Sequence, residues 1–177
     1  MAFVCISFLA AVGSSVISFA KDLAISVNAS ESLAVSLVGV LSVSNGIGRI
    51  ITGAVFDAIV RRKTMICANV ITICAAGVTL LAVSVGSLPL CIAGLCITGM
   101  SYGACPTITA AFTSSFYGMK HFPTNMAFMT FTVMGGSLIA TLSSKVLEIL
   151  GGYSYTFIML LGLTVAALVL NLFIRKP

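Results

Sequence analysis

Gly53-Ala54-Val55-Phe56-Asp57-Ala58-Ile59-Val60-Arg61-Arg62-Lys63 breaks a chain that is otherwise nearly free of charge. On either side, residues 33–56 and 64–85 are almost wholly apolar. Each stretch meets the roughly 20 residues that a helix needs to cross a bilayer. The eleven residues therefore read as the end of one span, a short polar turn and the start of the next. Gly53 lets a neighbouring helix come close, since it has no Cβ. Asp57 stands where a span ends and can accept hydrogen bonds from the free amides of another helix's N-terminus, which also favour its charge. Arg61 and Arg62 can pair with acids or with helix C-termini. The same residues would equally serve as a plain basic loop that happens to contain an aspartate.

Composition agrees with a lipid setting. Hydrophobic residues make up 59% of the 177 and charged residues 7%. Nine basic and four acidic side chains cannot cover the water-facing surface of a chain this long, for which roughly a quarter charged residues is usual. In a bilayer, charges are costly and apolar side chains are not. The net charge of +5 is concentrated at span ends, and no basic, aromatic-interleaved face exists for a nucleic acid to meet. Cys5, Cys67, Cys74, Cys91, Cys96 and Cys105 lie within apolar runs without a CxxC pair or nearby histidines. They read as small buried hydrophobes, and neither a metal nor any cofactor is expected.

Six spans are predicted, at about 1–20, 33–56, 64–85, 89–112, 124–144 and 153–174. The expected fold is an all-α membrane protein, a six-transmembrane-helix bundle. Gly86-Ser87-Leu88-Pro89 makes a tight turn with proline at a tolerated helix start. Pro106 lies inside the fourth span and should kink it or loosen its hydrogen bonds. Gly99 with Gly103, and Gly135 with Gly136, are thin patches where helices can approach. Arg61, Arg62, Lys63, Lys120, Arg175 and Lys176 fall on one side of the membrane, and only Lys21 and Lys145 on the other. That asymmetry predicts cytoplasmic termini in a plasma or inner membrane. The first apolar stretch begins at Met1 with no preceding cytoplasmic residues, so further chain upstream is expected.

The Gly53–Lys63 stretch resembles the G-x-x-x-D-x-x-G-R-R loop of the major facilitator superfamily. In that family it joins the second and third helices of each six-helix half, the same placement as here. Val60 stands where the family usually has glycine, which implies a stiffer turn. Ser44-Asn45-Gly46-Ile47-Gly48-Arg49-Ile50 looks like the N-G-x-G-R-I stretch of oxalate/formate-antiporter-like and monocarboxylate-transporter-like members. Thr113 to Lys120 and Asn125 are similar to their T-A-D-F-F-G-x-K and N-Y-G, with Ser114-Ser115 replacing the alanine-acid pair. The resemblance runs from about residue 33 to 136. It implies the C-terminal half of a twelve-span transporter, whose partner is an N-terminal six-helix half on the same or a separate chain.

Arg49 is the informative residue. It lies eight positions before Asp57, about 12 Å deeper at helical rise, and a guanidinium at that depth must face a cavity or a partner. The four acids, Asp22, Glu31, Asp57 and Glu148, all fall in predicted loops or span ends. An arginine without an intramembrane acid suits an anionic ligand, and its fork matches a carboxylate. Satisfaction by Asp57, by helix carbonyls or by water is the competing reading. In the oxalate branch the resemblance implies a second cation, a lysine in the eleventh helix, but residues 125–144 contain none. A single cation fits a monocarboxylate better than oxalate. Asn45, one turn before Arg49, can share its ligand, and Tyr102 lies in a span whose counterpart lines the cavity in this superfamily. For both, a contact between helices is an equal alternative. His121 reads as a solvated loop residue.

No Ser/His/Asp set, paired acids or HExxH motif points to catalysis, and Gly46-Ile47-Gly48 is too short for a nucleotide fingerprint. The expected function is secondary active transport of a small organic anion, monocarboxylate-like, through the lipid bilayer. Arg49, Asn45 and Tyr102 would be its binding residues, with Gly53, Asp57, Arg61 and Arg62 at the gate. An inactive or partner-dependent half, and an unrelated six-span channel, are the alternatives.

Overall fold

A computed structural model describes residues 2–59 and 61–173. Among them, six helices are long and apolar enough to cross a membrane. They are α1 (Ala2–Ser26), α2 (Glu31–Ala58), α3 (Arg61–Val85), α4 (Leu88–Tyr117), α5 (Phe122–Leu150) and α6 (Tyr153–Leu172). The all-α six-helix bundle expected from hydropathy is what the chain forms.

The helices outrun the apolar stretches, because a helix can continue past the hydrocarbon as long as its backbone bonds are kept. α1 passes through Lys21 and Asp22 to Ser26, with only a kink at Phe19 (φ −122°, ψ 18°) where the sequence suggests an end. The Phe19 ring meets Phe157 edge-on at 6.0 Å and Tyr153 at 5.7 Å, so α6 packs against the bend. Beyond it, Lys21 Nζ stands 2.7 Å from Glu31 Oε1 in an exposed ion pair that joins α1 to the start of α2. Residues 113–117 and 145–150, read as loops in the sequence, likewise belong to α4 and α5. Helices end where glycine permits it. Gly86, Gly118 and Gly151 all have positive φ, and the Gly151 amide donates to the Leu147 carbonyl at 2.9 Å. Pro89 and Pro123 sit in the first turns of α4 and α5, where a missing N–H costs nothing.

α1 is the central helix and touches all five others. Its buried side chains run through both core clusters, from Ile6 and Leu9 beside Ile108 and Phe112 to Val16 and Leu23 beside Leu41, Leu95 and Phe157. The broadest contact is between α2 and α4, followed by α1 with α5. Both rest on the glycines that the sequence marks. A Cβ on Gly103 would overlap the Asn45 carbonyl oxygen, one on Gly99 would stand 2.5 Å from the Leu41 carbonyl oxygen, and one on Gly48 would overlap the Met100 carbonyl oxygen. Three glycines thus bring the backbones of α2 and α4 into direct contact. At the α1–α5 crossing, a Cβ on Gly136 would meet Ala10 at 3.1 Å, and Ser15 donates to Ser143 at 3.1 Å in a buried hydroxyl pair.

Gly53 does not act as expected. A Cβ there would meet only Thr107 Cγ2, at 3.8 Å, an ordinary contact. The close approach lies further back along α2, and Gly53 lines open space instead. Gly53→Ala is therefore predicted to leave folding intact and to raise thermal stability slightly, by about 0.5–1 kcal/mol of helix preference. A thermal melt of the purified protein checks this.

Two cysteines also differ from expectation. Cys5, Cys91 and Cys105 are buried, but Cys67 and Cys74 are exposed on α3. Hydrocarbon solvates a thiol about as well as a protein core does, so burial brings little there. The outward faces are strongly apolar, with Ile50 75% and Ile149 79% exposed. Surfaces of that kind belong against lipid or another helix bundle.

Candidate functional site

The site is built on the last four turns of α2. Asn45, Arg49, Gly53 and Asp57 recur at intervals of four, which places them on one gently drifting stripe of a helix. The α2–α4 crossing fixes this stripe at its deep end. The Arg49 amide nitrogen stands 3.1 Å from where a Cβ of residue 103 would be. The guanidinium then turns back along its own helix, where Nε donates to Asn45 Oδ1 at 3.2 Å. That bond orients the arginine and leaves its two terminal nitrogens to meet something else.

A groove of about 630 Å³ lies along the stripe. Arg49, Gly53, Phe56 and Asp57 form one wall, and α4 supplies the other through Pro106, Thr107, Ala110 and Ser114. Met119 and Phe122, at the α4–α5 turn, line its outer end. Arg49 and Asp57 are both exposed. Among the described residues the sole ion pair is Lys21–Glu31, so Arg49 is not neutralised by Asp57 or by any other described acid. Asp57 accepts no hydrogen bond from a helix N-terminus among the described residues, and it lines the groove. Val60 and the side chains of Arg61 and Arg62 lie outside the described residues, so their part of the expected gate does too. Lys63 is exposed at the same end of the bundle.

Pro106 leaves α4 continuous. It does remove one donor, because the Tyr102 carbonyl has no N–H four residues ahead to bind it. Tyr102 does not line the Arg49 groove. Its ring covers Gly13 of α1, where a Cβ would overlap it, and it borders a second cavity of about 430 Å³ between α1, α4 and α5. Of the three binding residues expected from the sequence, the structure joins Asn45 and Arg49 and places Tyr102 at a second cavity. Sequence reasoning also missed that cavity's other residues, Ser14 and Ser18 on α1 and Ser137, Thr141 and Ser144 on α5. Their signal was present in the recurrence of hydroxyls every three or four residues along one helix face. His121 is exposed and occupies the N-cap position of α5 without a side-chain capping bond.

The arrangement can hold an anion beside a cation within a membrane, on a face that the bundle does not itself close. The family model described as Major Facilitator Superfamily matches residues 3–177. No curated protein matches the chain. With its six apolar helices, its loop at the α2–α3 junction and a family match over nearly its whole length, this chain belongs to the Major Facilitator Superfamily, a family of membrane transporters.

Proposed function

We propose that the chain is the C-terminal half of a secondary transporter that moves a small, monocarboxylate-like organic anion by alternating access. One observation carries this reading. Arg49 stands exposed on the wall of a groove of about 630 Å³, oriented by Asn45 and without an acid in ion-pair reach among the described residues. A guanidinium is permanently charged and presents donors in a planar fork, so a carboxylate is its natural ligand. In transporters of this kind the substrate sits near the midplane between two helical halves that rock about it. The exposed apolar faces of α2 and α5 suit an N-terminal six-helix half on the same or a separate chain.

The resemblance of Asn45–Ile50 to oxalate/formate-antiporter-like and monocarboxylate-transporter-like members supports a carboxylate substrate. Residues 125–144 contain no lysine, and Lys145, which α5 carries just beyond them, does not line the Arg49 groove; a single cation there supports one carboxylate over two. Asp57, Arg61 and Arg62, with Gly53 leaving room beside them, would hold the gate at the end where Lys63 and Lys120 also lie. The excess of basic residues at that end supports cytoplasmic termini in a plasma or inner membrane. The direct test is Arg49→Gln in the intact transporter. Carboxylate uptake should be lost while the amount of protein in the membrane is unchanged; undiminished uptake would contradict the anchor role.

A further inference from the structure

The cavity beside Tyr102 differs chemically from the rest of the surface. Six of its eight lining residues carry a hydroxyl: Ser14, Ser18, Tyr102, Ser137, Thr141 and Ser144. On the opposite side of α2, a groove of similar size formed with α3 and α4 has only three hydroxyl residues among thirteen, and the rest are chiefly Ile, Val, Ala, Met and Gly. Serine and threonine are ordinary in membrane helices when each is scattered and bonded to its own backbone. Convergence of six hydroxyls from three helices on one cavity calls for a further cause.

Their hydrogen bonds show which half of each hydroxyl is available. Ser18 donates to the Ser14 carbonyl at 2.9 Å, Ser137 to the Val133 carbonyl at 3.0 Å, Thr141 to the Ser137 carbonyl at 3.1 Å and Ser144 to the Ala140 carbonyl at 3.2 Å. A hydroxyl has one proton and two acceptor lone pairs. With the proton committed to the helix, each of these four presents only acceptor capacity to the cavity. A wall of this kind binds groups that donate hydrogen bonds. It offers little to a carboxylate, which has none to give, or to an alkyl chain.

We infer that this cavity binds the hydroxyl groups of the transported anion, so the substrate class is a polyhydroxylated monocarboxylate rather than a plain short-chain or alkyl one. The inference rests on the carboxylate reading of Arg49. Both cavities open along one face of α4: Pro106 lines the Arg49 groove, and Tyr102, one turn earlier on the same face, borders the hydroxyl cavity. A short carbon chain with its carboxylate at Arg49 can therefore extend its hydroxyls toward α1 and α5. The Tyr102 and Ser14 hydroxyls form no hydrogen bond with any described residue and can donate to the substrate's oxygens in return.

The test measures binding of gluconate, hexanoate and sorbitol to the purified intact transporter by titration calorimetry. Gluconate should bind about tenfold or more tightly than hexanoate, the worth of one to two net hydrogen bonds. The triple substitution Ser137→Ala, Thr141→Val, Ser144→Ala should shrink that ratio toward one; Thr141→Val alone should narrow it if the triple variant does not fold. Arg49→Gln should weaken both acids and keep their ratio. Equal binding of gluconate and hexanoate, no gluconate binding, or a ratio untouched by these variants would overturn the inference while leaving the carboxylate anchor standing. Sorbitol matching gluconate, with both weakened by the triple variant and indifferent to Arg49→Gln, would instead uphold the hydroxyl site and overturn the anchor.

Discussion

Gly103→Val should unfold the α2–α4 contact and with it most of the bundle. Even a single Cβ at this position overlaps the Asn45 carbonyl oxygen, and it would stand 3.0 Å from the Asn45 carbonyl carbon and 3.1 Å from the Arg49 amide nitrogen. All three are backbone atoms inside a helix, so none can move aside as a flexible side chain would. The two helices must separate, and the dispersion contacts along the broadest interface in the bundle are lost together. Overpacking of this kind costs about 3 kcal/mol or more, or a fall in melting temperature of about 10 °C for a chain of this size. Gly46→Ala supplies the comparison, since nothing lies within 4 Å of its missing Cβ. Detergent-solubilised Gly103→Val should aggregate or melt early, whereas Gly46→Ala should melt at or slightly above the wild type. Equal melting temperatures would mean that the crossing is not as close as described.

The second large effect concerns Arg49. Replacing a guanidinium that meets a carboxylate removes charge-assisted hydrogen bonds and leaves the anion in a poorly solvated groove. The loss should be about 3 kcal/mol, or roughly a hundredfold in uptake at low substrate concentration. Arg49→Lys separates charge from geometry. Lysine keeps the positive charge but loses the planar fork and the Nε donor that now binds Asn45 at 3.2 Å. Its uptake should fall between wild type and Arg49→Gln, at about a tenth of the wild-type rate. Folding should survive both changes, because Arg49 is exposed and packs on no buried core. If Arg49→Gln instead lowers the amount of folded protein and spares specific uptake, the arginine is structural.

Much of the fold could be read from the chain because the bilayer imposes simple rules. Long apolar runs must be helices, and glycine pairs mark where such helices touch. Gly99, Gly103 and Gly136 behaved as that logic requires. Helix ends were harder. Lys21 and Lys145 look like loop residues by charge, yet long side chains reach water from the final turns of a helix, and the backbone has no reason to stop. Gly53 departs from the pattern because a glycine's sequence does not reveal whether its bare face meets a neighbour or a void. The groove around Arg49 was half legible: the buried-depth argument identified the cation, and four-residue spacing gave Asn45 and Asp57. The opposite wall, from Pro106 to Ser114, needed the crossing of α2 and α4 to be known. The hydroxyls beside Tyr102 were invisible individually, since a serine bonded to its own helix has the same sequence whether it faces a cavity or a neighbouring helix.

The family assignment establishes membrane transport; a carboxylate held by Arg49 is the claim on which the proposed chemistry depends. It is tested most directly by counterflow. The intact transporter is reconstituted into proteoliposomes preloaded with an unlabelled small carboxylate, and uptake of the labelled acid is followed across a panel of one to six carbons. The prediction is uptake that saturates with concentration, accelerates with the preloaded anion and disappears in Arg49→Gln. Uptake that rises linearly, ignores the internal anion or persists without the guanidinium would contradict it.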